Sequence, residues 1–270
     1  MKDSYAVITG ASAGIGVCFA KRLAKDGYPL VLVARREERL VKLAEELNKE
    51  YGTECKVVVC DVSKTEECTR LMEEIKDIPV EVFINNAGFG DCGQFINGDL
   101  SKELDMIDVN IKALHVLMKL ALQKIENSQA ELDCCKRQGY ILNVASSAGL
   151  LPAGPYMATY YATKAYVTSL TQAVAEELRE AGSGIYVGCL CPGPVDTEFN
   201  YVANVEFALK GISAEYCANY GINQMFRKKT VIIPTWFLKV ALTFGRMIPR
   251  KLCISIAARQ QKKKLYGAGK

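Results

Sequence analysis

Short apolar runs alternate along this chain with longer stretches whose apolar residues recur every three to four positions. The runs at 4–8, 29–34, 55–60, 80–84, 140–144, 185–190 and 230–233 have the length and apolar content of buried strands. The periodic stretches, one following the first strand to about residue 26 and others at 36–51, 64–76, 104–125 and 157–181, read as amphipathic helices. Strand after helix after strand predicts an α/β fold: a doubly wound parallel sheet of about seven strands with helices on both faces. Residues 127–138 are polar and read as a surface connection. The stretch 198–223 is helical without strand signals, which predicts a lid over a binding site. From 236 to about 264 the pattern is an interrupted helical tail. The expected organisation is one domain over 1–234, with 235–270 as a helical extension of the same domain.

The turn after the first strand reads Thr9-Gly10-Ala11-Ser12-Ala13-Gly14-Ile15-Gly16 and opens into a helix. Strand, glycine turn and helix in that order form the context of a Rossmann-type dinucleotide site. Gly10 permits the tight turn, Gly14 lets the backbone approach a pyrophosphate, and Gly16 allows helix and strand to pack closely. Ser12 and Ile15 belong to the same turn, where the first helix amides face an anion. The second strand ends at Ala34, followed by Arg35-Arg36. An acid at that point binds a ribose 2′-hydroxyl, whereas arginine suits a 2′-phosphate by charge and fork geometry. NADP(H) is therefore expected over NAD(H). Asp61-Val62 closes the third strand, and Asp61 suits either an adenine amino group or the cap of the next helix. Asn86, Ala87 and Gly88 follow the fourth strand, and Pro192, Gly193, Val195 and Thr197 follow the sixth. All lie at carboxyl ends, where open α/β sheets bind ligands.

Chemistry is offered by Tyr160-Tyr161-Ala162-Thr163-Lys164, with Ser147 thirteen residues before Tyr160. On a helix Tyr160 and Lys164 share a face. An ammonium one turn away is expected to lower the phenol's pKa from about 10, while a serine hydroxyl holds a substrate oxygen. Asn110 lies in the apolar 104–125 stretch. His115 is the only histidine and sits among apolar neighbours, reading as packed or surface rather than catalytic; no serine elbow accompanies it, which argues against Ser-His-Asp hydrolysis. Tyr156, Met157, Phe199, Tyr201, Phe207 and Met225 are candidates to line a large apolar pocket.

Composition sharpens the picture in two places. Of 270 residues, half are apolar and 24% charged, with a net charge of +4. The charge is uneven: from Tyr216 onward there are twelve Lys or Arg and no acid, leaving a net of −8 before it. The tail reads either as a solvated helical face or as a contact with an anionic membrane surface or an acidic partner. No nucleic-acid contact is expected. The eleven cysteines include no CxxC pair and none of the histidines of a zinc site, so no metal is expected. The first strand starts almost at Met1 and leaves no signal peptide, which makes a reducing cytoplasm the expected compartment.

Taken together, the 9–16 turn, Asn85 to Gly88, Ser147, Tyr160 and Lys164 resemble the short-chain dehydrogenase/reductase family over about residues 4 to 234. Ala34-Arg35-Arg36 with a basic helical extension looks like its bacterial DltE-like subgroup. The resemblance implies a catalytic tetrad of Asn110, Ser147, Tyr160 and Lys164. It implies that Lys164 also binds the nicotinamide ribose and that Asn110 holds a water leading to solvent. It implies an NADP(H)-dependent oxidoreductase interconverting a ketone and a secondary alcohol, with a small apolar substrate such as a hydroxysteroid or bile acid. The alternatives are reduction of a 3-oxoacyl thioester and a non-catalytic dinucleotide sensor. Many family members are tetramers; the extension favours a homodimer, with a tetramer still open.

Overall fold

The computed structural model describes residues 2–128, 138–199, 203, 211–245 and 247–267, with side chains as far as Lys262. Its elements in chain order are β1 (Tyr5–Thr9), α1 (Gly14–Lys25), β2 (Leu30–Ala34), α2 (Glu37–Tyr51), β3 (Cys55–Val59), α3 (Thr65–Glu74) and β4 (Val80–Asn85). Next come α4 (Leu100–Ile107), a π-helical segment (Asp108–Ala113), α5 (Leu114–Ser128), β5 (Gly139–Val144), a 3₁₀ turn (Ser147–Leu150), α6 (Ala158–Glu180) and β6 (Ile185–Leu190). β7 (Val195–Asp196), β8 (Ile212–Ser213), α7 (Ala214–Phe226), β9 (Val231–Ile232), α8 (Trp236–Gly245) and α9 (Arg250–Gly267) complete the described chain.

Seven strands form one parallel sheet in the order β3-β2-β1-β4-β5-β6-β9. Strands buried on both faces must be apolar at every position, and β2, β5 and β6 are buried throughout. Alternation divides them between two cores. Ala6, Ile8, Leu30, Leu32, Val82 and Ile84 pack toward α1, α2 and α7. Val7, Val31, Val33 and Phe83 pack toward α3, α5 and α6. The strand order reverses between β1 and β4, so a crevice opens there at the carboxyl ends.

Three expectations change. The single helix expected at 104–125 is α4 and α5 joined through the π segment, because the Asn110 amide is held by the backbone of Phe89. Residues 200–202 and 204–210 of the expected lid at 198–223, Tyr201 and Phe207 among them, lie outside the described residues, as does much of the 127–138 connection. Its last part is no lid: α7 packs against α1, with Cys217, Ala218, Ile222 and Met225 fully buried. Met225 therefore belongs to the core and not to an apolar pocket.

Candidate active site

A cavity of about 1140 Å³ runs along the carboxyl ends of the strands, from the turn before α1 to the helices after β9. It exceeds the usual 300–1,000 Å³ range of small-molecule sites, leaving room for a large ligand and a second one beside it. Every residue expected to contact a cofactor lines it except Gly16, which lies beneath the turn. A Cβ on Gly16 would overlap the Gly10 carbonyl oxygen, so only glycine lets α1 start this close to β1. Gly10 has φ +66°, and the Asn86 side chain bonds the Thr9 and Gly10 carbonyls at 2.9 and 3.2 Å. The Thr9 hydroxyl in turn accepts from the amides of Asn86 and Ala87. Thr9 thus ties the two strands across the reversal, a role its position beside Gly10 did not announce. Helix α1 begins without a capping side chain and without an acid in its first turn, so its first amides and positive dipole end face the cavity.

At the end of β2 the two arginines separate in role. Arg36 bonds the Ser12 hydroxyl at 3.2 Å and pairs with Glu198 at 3.3 Å. Arg39, unremarked in the sequence, joins the same carboxylate at 2.8 Å. Arg35 forms no hydrogen bond or ion pair among the described residues and lines the cavity. Asp61 accepts from the amide and hydroxyl of Ser63 in the turn ahead of α3, whose cap position is Lys64 and not Asp61, and it lines the cavity.

The proton-handling groups meet at the start of α6. Tyr160 and Lys164 are both buried, with the Lys164 Nζ 5.8 Å from the Tyr160 ring centroid. Lys164 donates to the Val144 carbonyl at 2.9 Å, and burial pulls its pKa down to about 8. Burial pushes the Tyr160 phenol up to about 12, against the opposing pull of a hydrogen bond from Ser146. Two expectations are corrected here. Burial dominates at the phenol, so its pKa rises rather than falls. The serine on the phenol is Ser146 and not Ser147. Both line the cavity, but the thirteen-residue count crosses a 3₁₀ turn and a loop in which Tyr156 has φ +68°, so chain offset does not translate into position.

Asn110 stands behind this pair, 1% exposed. Its amide donates to the Phe89 carbonyl at 2.8 Å and to the Thr163 hydroxyl at 3.1 Å, and Thr163 donates to the Tyr160 carbonyl. Asn110 Oδ1 and Lys164 Nζ both lie near Gly88: a Cβ there would sit 2.9 and 3.3 Å from them. Gly90 likewise makes room for Tyr160 and Phe199, another contribution that sequence reading passed over. Met157 and Phe199 line the cavity as expected, whereas Tyr156 lines a smaller neighbouring pocket. His115 is exposed and bonds the Tyr166 hydroxyl at 2.7 Å, away from the site.

The helices after β9 close one end of the cavity. Leu238 of α8 approaches Gly193, and Gln260 and Gln261 of α9 line the wall. Gln261, 3% exposed, donates to the Tyr161 hydroxyl at 2.5 Å. Among the described residues no cluster of three His, Cys, Asp or Glu could hold a metal, and no helix is long and apolar enough to cross a membrane.

Comparison with known proteins agrees with this geometry. The family model described as short chain dehydrogenase matches residues 4–206. The very-long-chain 3-oxoacyl-CoA reductase of Kluyveromyces lactis is 38% identical over 181 residues, 66% of this chain and 51% of that protein. An uncharacterized oxidoreductase of Staphylococcus epidermidis is 36% identical over 200 residues, 73% of this chain and 80% of that one. A short-chain dehydrogenase from Sphingobium yanoikuyae, solved in complex with NADPH, superposes with a TM-score of 0.78 at 29% identity, covering 90% and 94% of the two chains. The chain spans about half the length of the yeast reductases it matches. The chain belongs to the short-chain dehydrogenase family.

Proposed function

We infer that this protein is an NADP(H)-dependent oxidoreductase that interconverts an apolar ketone and its secondary alcohol. The observation that carries the reading is the Ser146–Tyr160–Lys164 constellation, its tyrosine and lysine buried, opening onto the same cavity as the glycine cradle. The cradle fits a dinucleotide: a Cβ on Gly10 or Gly16 would fill it, and the uncapped amides of α1 suit a pyrophosphate. Ala34 in place of an acid and Arg35 without a competing carboxylate support a 2′-phosphate, hence NADP(H). When bound there, the nicotinamide supplies or accepts hydride.

The chain's own residues handle the oxygen and its proton. Ser146 donates a hydrogen bond to the substrate oxygen as negative charge builds on it. Tyr160 gives that oxygen its proton; a phenol held near 12 stays protonated at neutral pH, which suits reduction. Lys164, kept close to its own titration point, favours the phenolate that is left and orients the nicotinamide ribose. Asn110 places a water beside Gly88 through which Lys164 exchanges protons with solvent.

Two substrate classes are carried forward. The cavity's size suits a hydroxysteroid, while the likeness to yeast reductases named for very-long-chain 3-oxoacyl-CoA favours a 3-oxoacyl thioester. A panel of both, with NADPH and NADH oxidation followed spectrophotometrically, decides between them. Tight NADPH binding without turnover of any ketone would favour a dinucleotide sensor instead. Tyr160→Phe should abolish turnover and leave NADPH affinity nearly unchanged; wild-type rates would refute the assignment. We further place 235–270 with the 1–234 domain, the protein in the cytoplasm, and its assembly as a homodimer.

A further inference from the structure

We propose that the α8–α9 hairpin docks this protein on an anionic lipid surface, so that the substrate enters the cleft from the membrane side. The hairpin has two faces. The inner one carries Leu238, Gln260 and Gln261, which line the cavity. The outer one exposes large apolar side chains: on α8, Trp236 at 78%, Val240 at 44% and Phe244 at 64% recur every four residues with Phe237 beside Trp236, and Met247 at 81% in the following turn and Leu252 on α9 add to them. A water-facing monomer rarely presents a contiguous apolar surface of this extent without a partner for it.

Charge selects the occupant. Lys239, Arg250, Lys251 and Arg259 are exposed among these apolar residues and form no ion pair among the described residues. No acid occurs from Tyr216 to the end of the sequence, against twelve bases. Tryptophan and phenylalanine beside lysine and arginine, on helices too short and too charged to span a bilayer, form an interfacial element. Apolar rings enter the acyl boundary while ammonium and guanidinium groups remain among anionic headgroups. The competing occupant is a second copy. Residues 95–107 expose Phe95, Ile96, Leu100 and Leu104 near Asp99 and Glu103, which would complement the hairpin. Such a head-to-tail contact is heterologous and need not close into a defined oligomer, so the lipid surface is the better match. The docking claim stands on the outer face alone; delivery of an apolar ketone to the cleft rests on the function proposed above.

Sedimentation with phosphatidylcholine vesicles, pure or containing about one-third phosphatidylserine, tests this without substrate or nucleotide. The protein should sediment with the anionic vesicles at low salt and be released as salt rises. Lys239→Gln with Lys251→Gln should weaken binding about five-fold per charge removed. Trp236→Ser with Phe244→Ser should weaken it by an order of magnitude or more. Both double variants should melt like the parent and keep its NADPH turnover of a water-soluble ketone. Absence of vesicle binding at low salt overturns the proposal, as does undiminished binding by the two variants. Concentration-dependent assembly that the aromatic variant abolishes, without vesicle binding, assigns the face to a second copy and overturns it too. A protein that binds vesicles but reduces nothing would sink the catalytic reading and leave docking intact.

Discussion

Replacing Ser146 and Ser147 separately by alanine discriminates between position in space and count along the chain. Ser146 bonds the Tyr160 phenol and accepts from the Ala148 amide at 3.2 Å, which fixes its hydroxyl at the mouth of the pair. A positioned donor to an oxyanion contributes about 2.7–4 kcal/mol, so Ser146→Ala should lower kcat roughly a hundred- to a thousand-fold. KM for the ketone should change far less, because the bond strengthens chiefly in the transition state. The same change removes the Ser146 hydrogen bond that opposes burial at Tyr160, so the pKa of the phenol should rise further. Oxidation of the alcohol needs the phenolate and therefore gains rate with rising pH. Its alkaline limb should move to still higher pH in Ser146→Ala, whereas reduction at neutral pH should keep its pH profile. Ser147→Ala should stay within a few-fold of the parent in both directions, within the range of ordinary surface substitutions. The measurement is steady-state kinetics in both directions across pH, with NADPH affinity as the control. A collapse in Ser147→Ala with an active Ser146→Ala would refute the geometric assignment.

Other perturbations act on other parts of the site. Arg35→Ala removes one charge-assisted contact to a 2′-phosphate and should raise the Kd for NADPH roughly ten- to a hundred-fold, with little change for NADH, measured by fluorescence titration; equal losses would refute the NADP preference. Gly16→Ala drives a methyl against the Gly10 carbonyl and the Asn86 amide, so stability should fall by about 1–3 kcal/mol and NADPH should no longer raise the melting temperature. Lys164→Met should abolish turnover yet stabilise the fold. The lysine's pKa is about 8 when folded against an ordinary 10.5, so folding disfavours its proton; that cost grows as pH falls from 10.5 to 8 and is constant below. At neutral pH it is about 3 kcal/mol, part of which the lost Val144 bond offsets. Urea unfolding with an unchanged or lowered midpoint at pH 7 would contradict this account.

The strands and the nucleotide cradle were legible because their causes are local. A strand covered on both faces has to be apolar, and a turn that brings a helix amide to a phosphate has to be glycine. Asn110 shows where local causes end: residues 108–113 keep the helical period of their neighbours, and the π segment arises from a bond to Phe89, twenty-one residues away. Helix α7 departs from the expected lid for a similar reason. Its small and apolar positions, Cys217, Ala218 and Gly221, suit a solvent-facing lid as well as close packing, and only α1 on the other side decides between them. The tyrosine doublet makes the point at the site itself. Neighbours on a helix are turned by about 100°, and that rotation sends Tyr160 to Ser146 and Tyr161 to Gln261, a hundred residues further on. The first contact handles the proton, and the second fastens the helical extension over the cavity. A mutation at Tyr161 should therefore loosen the wall formed by α9, and with it substrate affinity, while the proton-transfer step at Tyr160 persists.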